Sequence, residues 1–275
     1  MSNSAAQVTG RQGNEPAKIM DISTTECRLK VDLIYGPHFN RKETFLGEML
    51  TQENKKEMAP KSEQDAQKWL EQMLGEQPPL EKVVFRMRKI PQNILSIRQV
   101  ATCKDYVLRY INKWAALKQN LAQNGRIMDS LNFIQCENLW PDMLAIPSVM
   151  NCSKMFFNHS GAIPNEFLTT TTASHVVADQ PFSTEVINSM IRKIAFKMFN
   201  DPMKSYYIGC DMEEDFDQAK IFEGVVHKKN GEAGEFGVYW NLIDTPGSAN
   251  WREDSFQVGR VTIRDRKLII GSLRR

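Results

Sequence analysis

Residues 84–126 read VFRMRKIPQNILSIRQVATCKDYVLRYINKWAALKQNLAQNGR, and they hold more than the net positive charge of the whole chain. Nine basic residues less one acid, Asp105, give +8 in a chain whose formal net charge is +2. Cys103, Val107, Tyr110, Trp114, Leu117 and Leu121 recur at alternating spacings of four and three. That spacing predicts an amphipathic α-helix with these side chains on one stripe. Lys104, Arg109, Lys113 and Lys118 fall off the stripe and form a basic outer face. Asn124-Gly125 supplies the stop, because glycine takes the left-handed conformation without steric cost.

Upstream of this stretch, residues 1–24 are polar and read as a flexible tail. Cys27, Leu29, Val31 and Leu33 then alternate with Arg28, Lys30 and Asp32, the period of a half-buried strand. Residues 42–57 suggest a short helix carrying Phe45, Met49 and Leu50. Ser62 is placed to cap a helix over residues 63–74 whose inward face is Ala66, Trp69, Leu70 and Met73. Pro78-Pro79 breaks the chain, and residues 83–90 read as a strand.

Downstream, residues 127–133 suggest a short helix, and 169–174 a loop. Ser183 is an N-cap for a helix running to about Asn200, with Phe182 packing on Ile187 as a hydrophobic staple. The last part of the chain turns to β: strands at 220–227 and 236–242 around a turn at Asn230-Gly231, then a hairpin of 256–263 and 268–272 about Asp265-Arg266. No internal repeat is evident. The expected fold is α+β: a helical middle with a basic amphipathic helix, and an antiparallel sheet formed largely by the C-terminal third plus an N-terminal strand. One domain over residues 25–275 is expected, with a possible sub-boundary near 202–218.

Composition narrows the classes. With 41% hydrophobic residues in 275, the chain can bury a proper core. No apolar run is long enough to span a bilayer, and the N-terminus lacks the apolar core of a secretory signal. A cytoplasmic or nuclear protein that is not secreted is the expectation. Five cysteines, widely spaced and without a CxxC pair, predict reduced thiols.

The loops that cradle phosphates, GxxxxGKS/T and GxGxxG, are absent, as are GxSxG and HExxH. Asp211, Glu213, Glu214, Asp215 and Asp217 form an acidic cluster suited to a divalent cation, the basis for a metal-dependent nuclease as an alternative. As an EF-hand it fails, with Phe216 where glycine is required and Phe222 where the bidentate glutamate belongs. Cys136, Cys152, His159 and His175 lack the close ligand pair of a structural zinc site. No catalytic residue, metal or cofactor is assigned. The basic residues carry the functional expectation: Arg86, Arg88, Lys89, Arg98, Lys104, Arg109, Lys113 and Lys118, with Arg264, Arg266 and Lys267, as contacts to nucleic acid or an anionic membrane surface.

The order of a polar tail, the alternating strand from Cys27 to Leu33, a helix, a basic middle and a C-terminal β region resembles the matrix proteins of rhabdoviruses, particularly those of plant-infecting members. The PPxY motif of animal-virus relatives is replaced: Pro78-Pro79 is followed by Leu-Glu. The resemblance implies a non-enzymatic, virion-associated structural protein that self-associates as a homo-oligomer. Its implied partners are nucleoprotein or RNA and, peripherally, an anionic membrane. An RNA-binding or viral movement protein is the neighbouring alternative.

Overall fold

The computed structural model describes residues 16–25, 28–35, 55–58, 62–125, 127–139, 141–161, 163–200, 205–225, 227–233, 237–243, 257–264 and 266–272. At the N-terminal end, β1 (Ala17–Thr25) pairs antiparallel with β2 (Arg28–Tyr35), which pairs with β3 (Lys55–Met58). Residues 17–24 of the expected tail therefore belong to a strand, with Ile19, Met20 and Ile22 buried. The inward positions Val31 and Leu33 of β2 are buried as the alternation requires. The helix expected at 42–57 lies outside the described residues except for 55–57, which are strand.

Helix α1 (Glu63–Leu74) follows, and its Ser62 cap accepts the Asp65 N–H at 3.1 Å. A regular alternation begins after it. β4 (Lys82–Arg86) leads to α2 (Gln92–Leu95) and α3 (Arg98–Ala101). β5 (Asp105–Arg109) leads to α4 (Ala115–Asn124), and β6 (Ser130–Ile134) to α5 (Pro141–Leu144) and α6 (Pro147–Met150). β7 (Lys154–Asn158) leads to α7 (Asn165–Thr170), β8 (His175–Phe182) to α8 (Thr184–Asn200), and β9 (Tyr207–Met212) closes the series. β4 to β9 pair in parallel, each with the next in sequence, and β1 adds to the β4 edge, also in parallel.

Strand starts at Lys82, Asp105, Ser130, Lys154, His175 and Tyr207 lie 23, 25, 24, 21 and 32 residues apart. Each interval is one coil of a solenoid in which a strand and short helices form a unit that cannot bury its apolar face alone. A repeat is visible in the sequence once the coils are known. Leu95-Ser-Ile97-Arg-Gln-Val100-Ala-Thr-Cys103 and Leu144-Ala-Ile146-Pro-Ser-Val149-Met-Asn-Cys152 share LxIxxVxxC. The expectation of no repeat fails because the two copies are separated by an unlike coil, α4, that masks the period.

The continuous basic helix over 103–121 is not formed. Tyr106 and Leu108 are fully buried on one face of β5, while Val107 belongs to the opposite face and Tyr110 is half exposed. Only Trp114, Leu117 and Leu121 share a buried helical face, at the start of α4 and along it. A short β-strand followed by a helix had imitated one helical stripe. Gly125 does end α4 in the left-handed conformation, with φ 54°. Similarly, residues 130–133 of the helix expected at 127–133 belong to strand β6.

After β9, a 3₁₀ turn covers Lys220–Phe222, and β10 (His227–Ala233), β11 (Gly237–Ile243), β12 (Gln257–Arg264) and β13 (Lys267–Ser272) form an antiparallel array. Asn230-Gly231 lies inside β10 at a register shift rather than at a turn. The hairpin expected over 256–263 and 268–272 forms, over the described residues, as β12 and β13, and β13 joins the array to β9. One sheet runs β10-β11-β12-β13-β9-β8-β7-β6-β5-β4-β1-β2-β3. The α+β expectation holds, with antiparallel strands at both ends; the centre is parallel.

Sequential parallel strands joined by right-handed crossovers place their helices on one face. The inner row Val83, Tyr106, Leu131, Met155, Val176 and Ile208 is buried there, as is the next, Phe85, Leu108, Phe133, Phe157 and Ala178. Phe133 and Phe157 stack with centroids 5.1 Å apart. Successive coils are also stitched by polar groups on the helical side. Gln99 donates to the Gly75 and Gln77 carbonyls, Asn120 to Leu95 at 3.1 Å, and the Ser148 hydroxyl to Leu121 at 2.8 Å. The Thr171 hydroxyl donates to Met150 at 3.2 Å, and the Lys193 ammonium to Thr169 at 2.8 Å. Short helices leave carbonyls without partners at their ends, and these side chains satisfy them. Asn120→Ala and Ser148→Ala each leave a buried carbonyl unpaired, so each should lower unfolding stability by about 1–3 kcal/mol in urea titration.

Candidate anion-binding rim

The residues that follow β4 to β9 make a rim along the C-terminal ends of the parallel strands. Arg86 and Arg109 occupy paired register positions on β4 and β5, on the face away from the helices. Arg88 and Lys89 follow β4, exposed, and Lys113 follows β5, exposed and bridged to Lys89. Five of the basic residues singled out in the sequence thus gather over two adjacent strands. Three others are placed elsewhere. Arg98 and Lys118 lie on the helical side, Arg98 at 3.7 Å from Glu76 and Lys118 paired with Asp142. Lys104 precedes β5, at the opposite end of the strands.

Arg264, Arg266 and Lys267 lie at the β12–β13 turn. β13 runs antiparallel to β9, with Lys267 opposite Asp211, so this turn shares the rim with Arg86 and Arg109. Five strand spacings of about 4.8 Å separate β5 from β13, roughly 24 Å. Between them the rim carries Gln135 and the exposed Glu137, whose N–H donates to Ile111 at 2.9 Å, then Asn158, His159 and Asp179, then Asp211 and Glu214. Glu214 pairs with Arg266 at 3.0 Å. From β4 to β13 the rim is basic, meets a first acid at Glu137 after β6, is acidic again at Asp179, Asp211 and Glu214, and turns basic only where acids oppose it.

The two guanidiniums at the basic end are not equivalent. Arg86 Nη2 meets the Asp21 carboxylate of β1 at 2.7 Å. Burial nevertheless holds the Asp21 carboxyl above the usual carboxylate range, with Arg86 opposing that shift. Arg109 has no ion pair among the described residues, and this is the difference, since the Nε of Arg86 and that of Arg109 are both buried without a hydrogen-bond acceptor. Burial, then the neighbouring Arg86 charge, lowers its pKa. Nearby on the same face, Asn132 is 2% exposed with an unpartnered Oδ1.

Backbone strain follows the same rim. Tyr110, Gln135 and His159, each the first residue after β5, β6 and β7, have φ of 63°, 49° and 49°. Left-handed backbone disfavours residues with a Cβ. The position repeats because each of these residues sends its N–H onward to the next coil: Tyr110 to Ile134, Gln135 to Asn158, and His159 to the Asp179 carboxylate at 2.7 Å. Sequence reading missed these residues, since no glycine marks the turns.

The other candidate chemistries are dispersed. Asp217 caps the Ala219 and Lys220 N–H groups and pairs with Lys220 at 3.6 Å; the backbone hydrogen bond from Lys220 is the main cause of its lowered pKa. Among the described residues no group of three or more His, Cys, Asp or Glu is placed to hold a metal. Cys136 and Cys152 flank opposite ends of the strands, each donating its thiol to a carbonyl, and burial pushes them up to about 11 and about 12. His175 stacks on Tyr207, and His159 lies 3.0 Å from Asp179. No described helix is long and apolar enough to cross a membrane.

Comparison with family models, curated proteins and solved structures gave no match. The functional reading therefore rests on the rim itself. Gln135 is exposed and its turn is strained. Gln135→Gly should relieve about 1–2 kcal/mol of left-handed strain against about 0.5–1 kcal/mol of added chain entropy, a small net rise in stability by thermal or urea unfolding.

Proposed function

We propose that this protein is a non-catalytic scaffold that docks an anionic partner on the β4–β5 quarter of its rim. The observation that carries the reading is the gathering of Arg86, Arg88, Lys89, Arg109 and Lys113 over two strands, with Arg109 left unpaired among the described residues. A solenoid presents such a cluster on a rigid frame, so little ordering cost is added on binding. A structural role of matrix type is one form of this function, with nucleocapsid RNA or a peripheral anionic membrane surface as the partner. Self-association fits the same role, because β3 and β10 are the outermost of the described strands, and sheet edges are where copies pair.

The test is binding to single-stranded RNA and to phosphatidylserine liposomes across a salt series, with a variant in which the five rim residues become glutamine. The scaffold reading expects salt-sensitive binding to at least one ligand, lost in the variant and retained when Arg98 and Lys118 are changed instead. For RNA, five phosphate contacts correspond to a slope of log affinity on log salt of about −3.5. Binding unchanged in the rim variant contradicts the reading, as does failure of RNA, liposomes and a short acidic peptide alike to bind.

A further inference from the structure

Resting on the docking proposed above, we infer that the partner group received at Arg86 and Arg109 is a protein carboxylate, an aspartate or glutamate side chain of an acidic segment. Three observations lead there. First, the chain displays the chemistry at the neighbouring position: Asp21 places a carboxylate oxygen 2.7 Å from the Arg86 guanidinium, while Arg109, one strand over in register, has no such partner among the described residues. A planar guanidinium takes a carboxylate through two parallel N–H bonds, and a partly buried, unpaired one is costly until it does.

Second, the charge along the rim limits the length of the anion. Positive charge extends over β4 and β5, a width of about one strand spacing, roughly 5 Å. At β6 the rim meets Glu137, and beyond it Asp179, then Asp211 and Glu214. A long uniform polyanion laid along it would run from cations onto carboxylates. A short acidic segment flanked by neutral residues ends before that change of sign. Third, the residue that follows Arg109 is Tyr110, half exposed and held at φ 63°. It presents a hydroxyl donor and an aromatic face beside the unpaired cation.

The probe is the peptide acetyl-Ala-Glu-Glu-Ala-amide, titrated into the full chain while the arginine Nε–Hε resonances are followed by NMR. Arg109→Lys and Arg86→Lys identify the two resonances by their loss. The Gln-Gln peptide and a triadenylate serve as comparisons. The expected result is a saturable shift of the Arg109 resonance with the Glu-Glu peptide and none with Gln-Gln. Arg109→Lys should also bind about threefold or more weakly, because an ammonium lacks the fork. An unmoved Arg109 resonance, or one that responds at lower concentration to triadenylate, overturns the carboxylate assignment. If RNA or liposomes still bind through the five rim residues in that case, the docking rim stands and only its assignment to protein carboxylates falls. If RNA, liposomes and peptide all fail to bind, both fall together.

Discussion

Every feature of this protein depends on the stacking of one coil on the next. A single unit of a five-residue strand and one or two helical turns has an apolar inner face and no means of covering it. Setting Tyr106 against Val83, and Leu131 against Tyr106, buries each row between neighbours and fixes the parallel register. The same register decides what happens on the opposite side of the sheet. Because side chains alternate along a strand, burying Phe85 and Leu108 obliges Arg86 and Arg109 to stand side by side on the other face. The charged pair is a consequence of the packing of the core.

The polar stitches have a comparable origin. Helices of four to twelve residues end with carbonyls that no further turn can satisfy, and in a solenoid those carbonyls face the next coil. Gln99, Asn120, Ser148, Thr171 and Lys193 answer them from five successive coils. Four of these are buried polar residues that a hydrophobicity pattern alone counts against the core. Each bond is worth little net, but removing one leaves a desolvated acceptor, and that asymmetry keeps the series in place.

Much of the local structure was legible. The Ser62 cap and α1, the alternation of β2, the left-handed Gly125, α8 and the β12–β13 hairpin all follow from short-range rules that tertiary contacts did not override. The coil architecture was not legible from the same rules. Strands of five residues alternate too briefly for a period of two to stand out. In residues 103–121, Cys103, Val107 and Tyr110 happened to extend the true helical spacing of Trp114, Leu117 and Leu121 backwards into β5. The acids and bases of the rim were visible as composition, but their order along it depends on strand order, which a single sequence does not display. Hence the grouping of Arg86, Arg88, Lys89, Arg109 and Lys113, and their separation from Arg264, Arg266 and Lys267, emerged only from the sheet.

That separation is the most direct point of test. Pulsed dipolar spectroscopy on the full chain with spin labels at Arg88→Cys and Lys267→Cys measures the span of the rim from β4 to β13. Six strand spacings correspond to about 29 Å, somewhat less along a curved sheet. A narrow distribution near 25–30 Å is the result this account predicts. A distance below about 15 Å would bring the two basic groups into one positive face and contradict both the strand order and the charge pattern built on it.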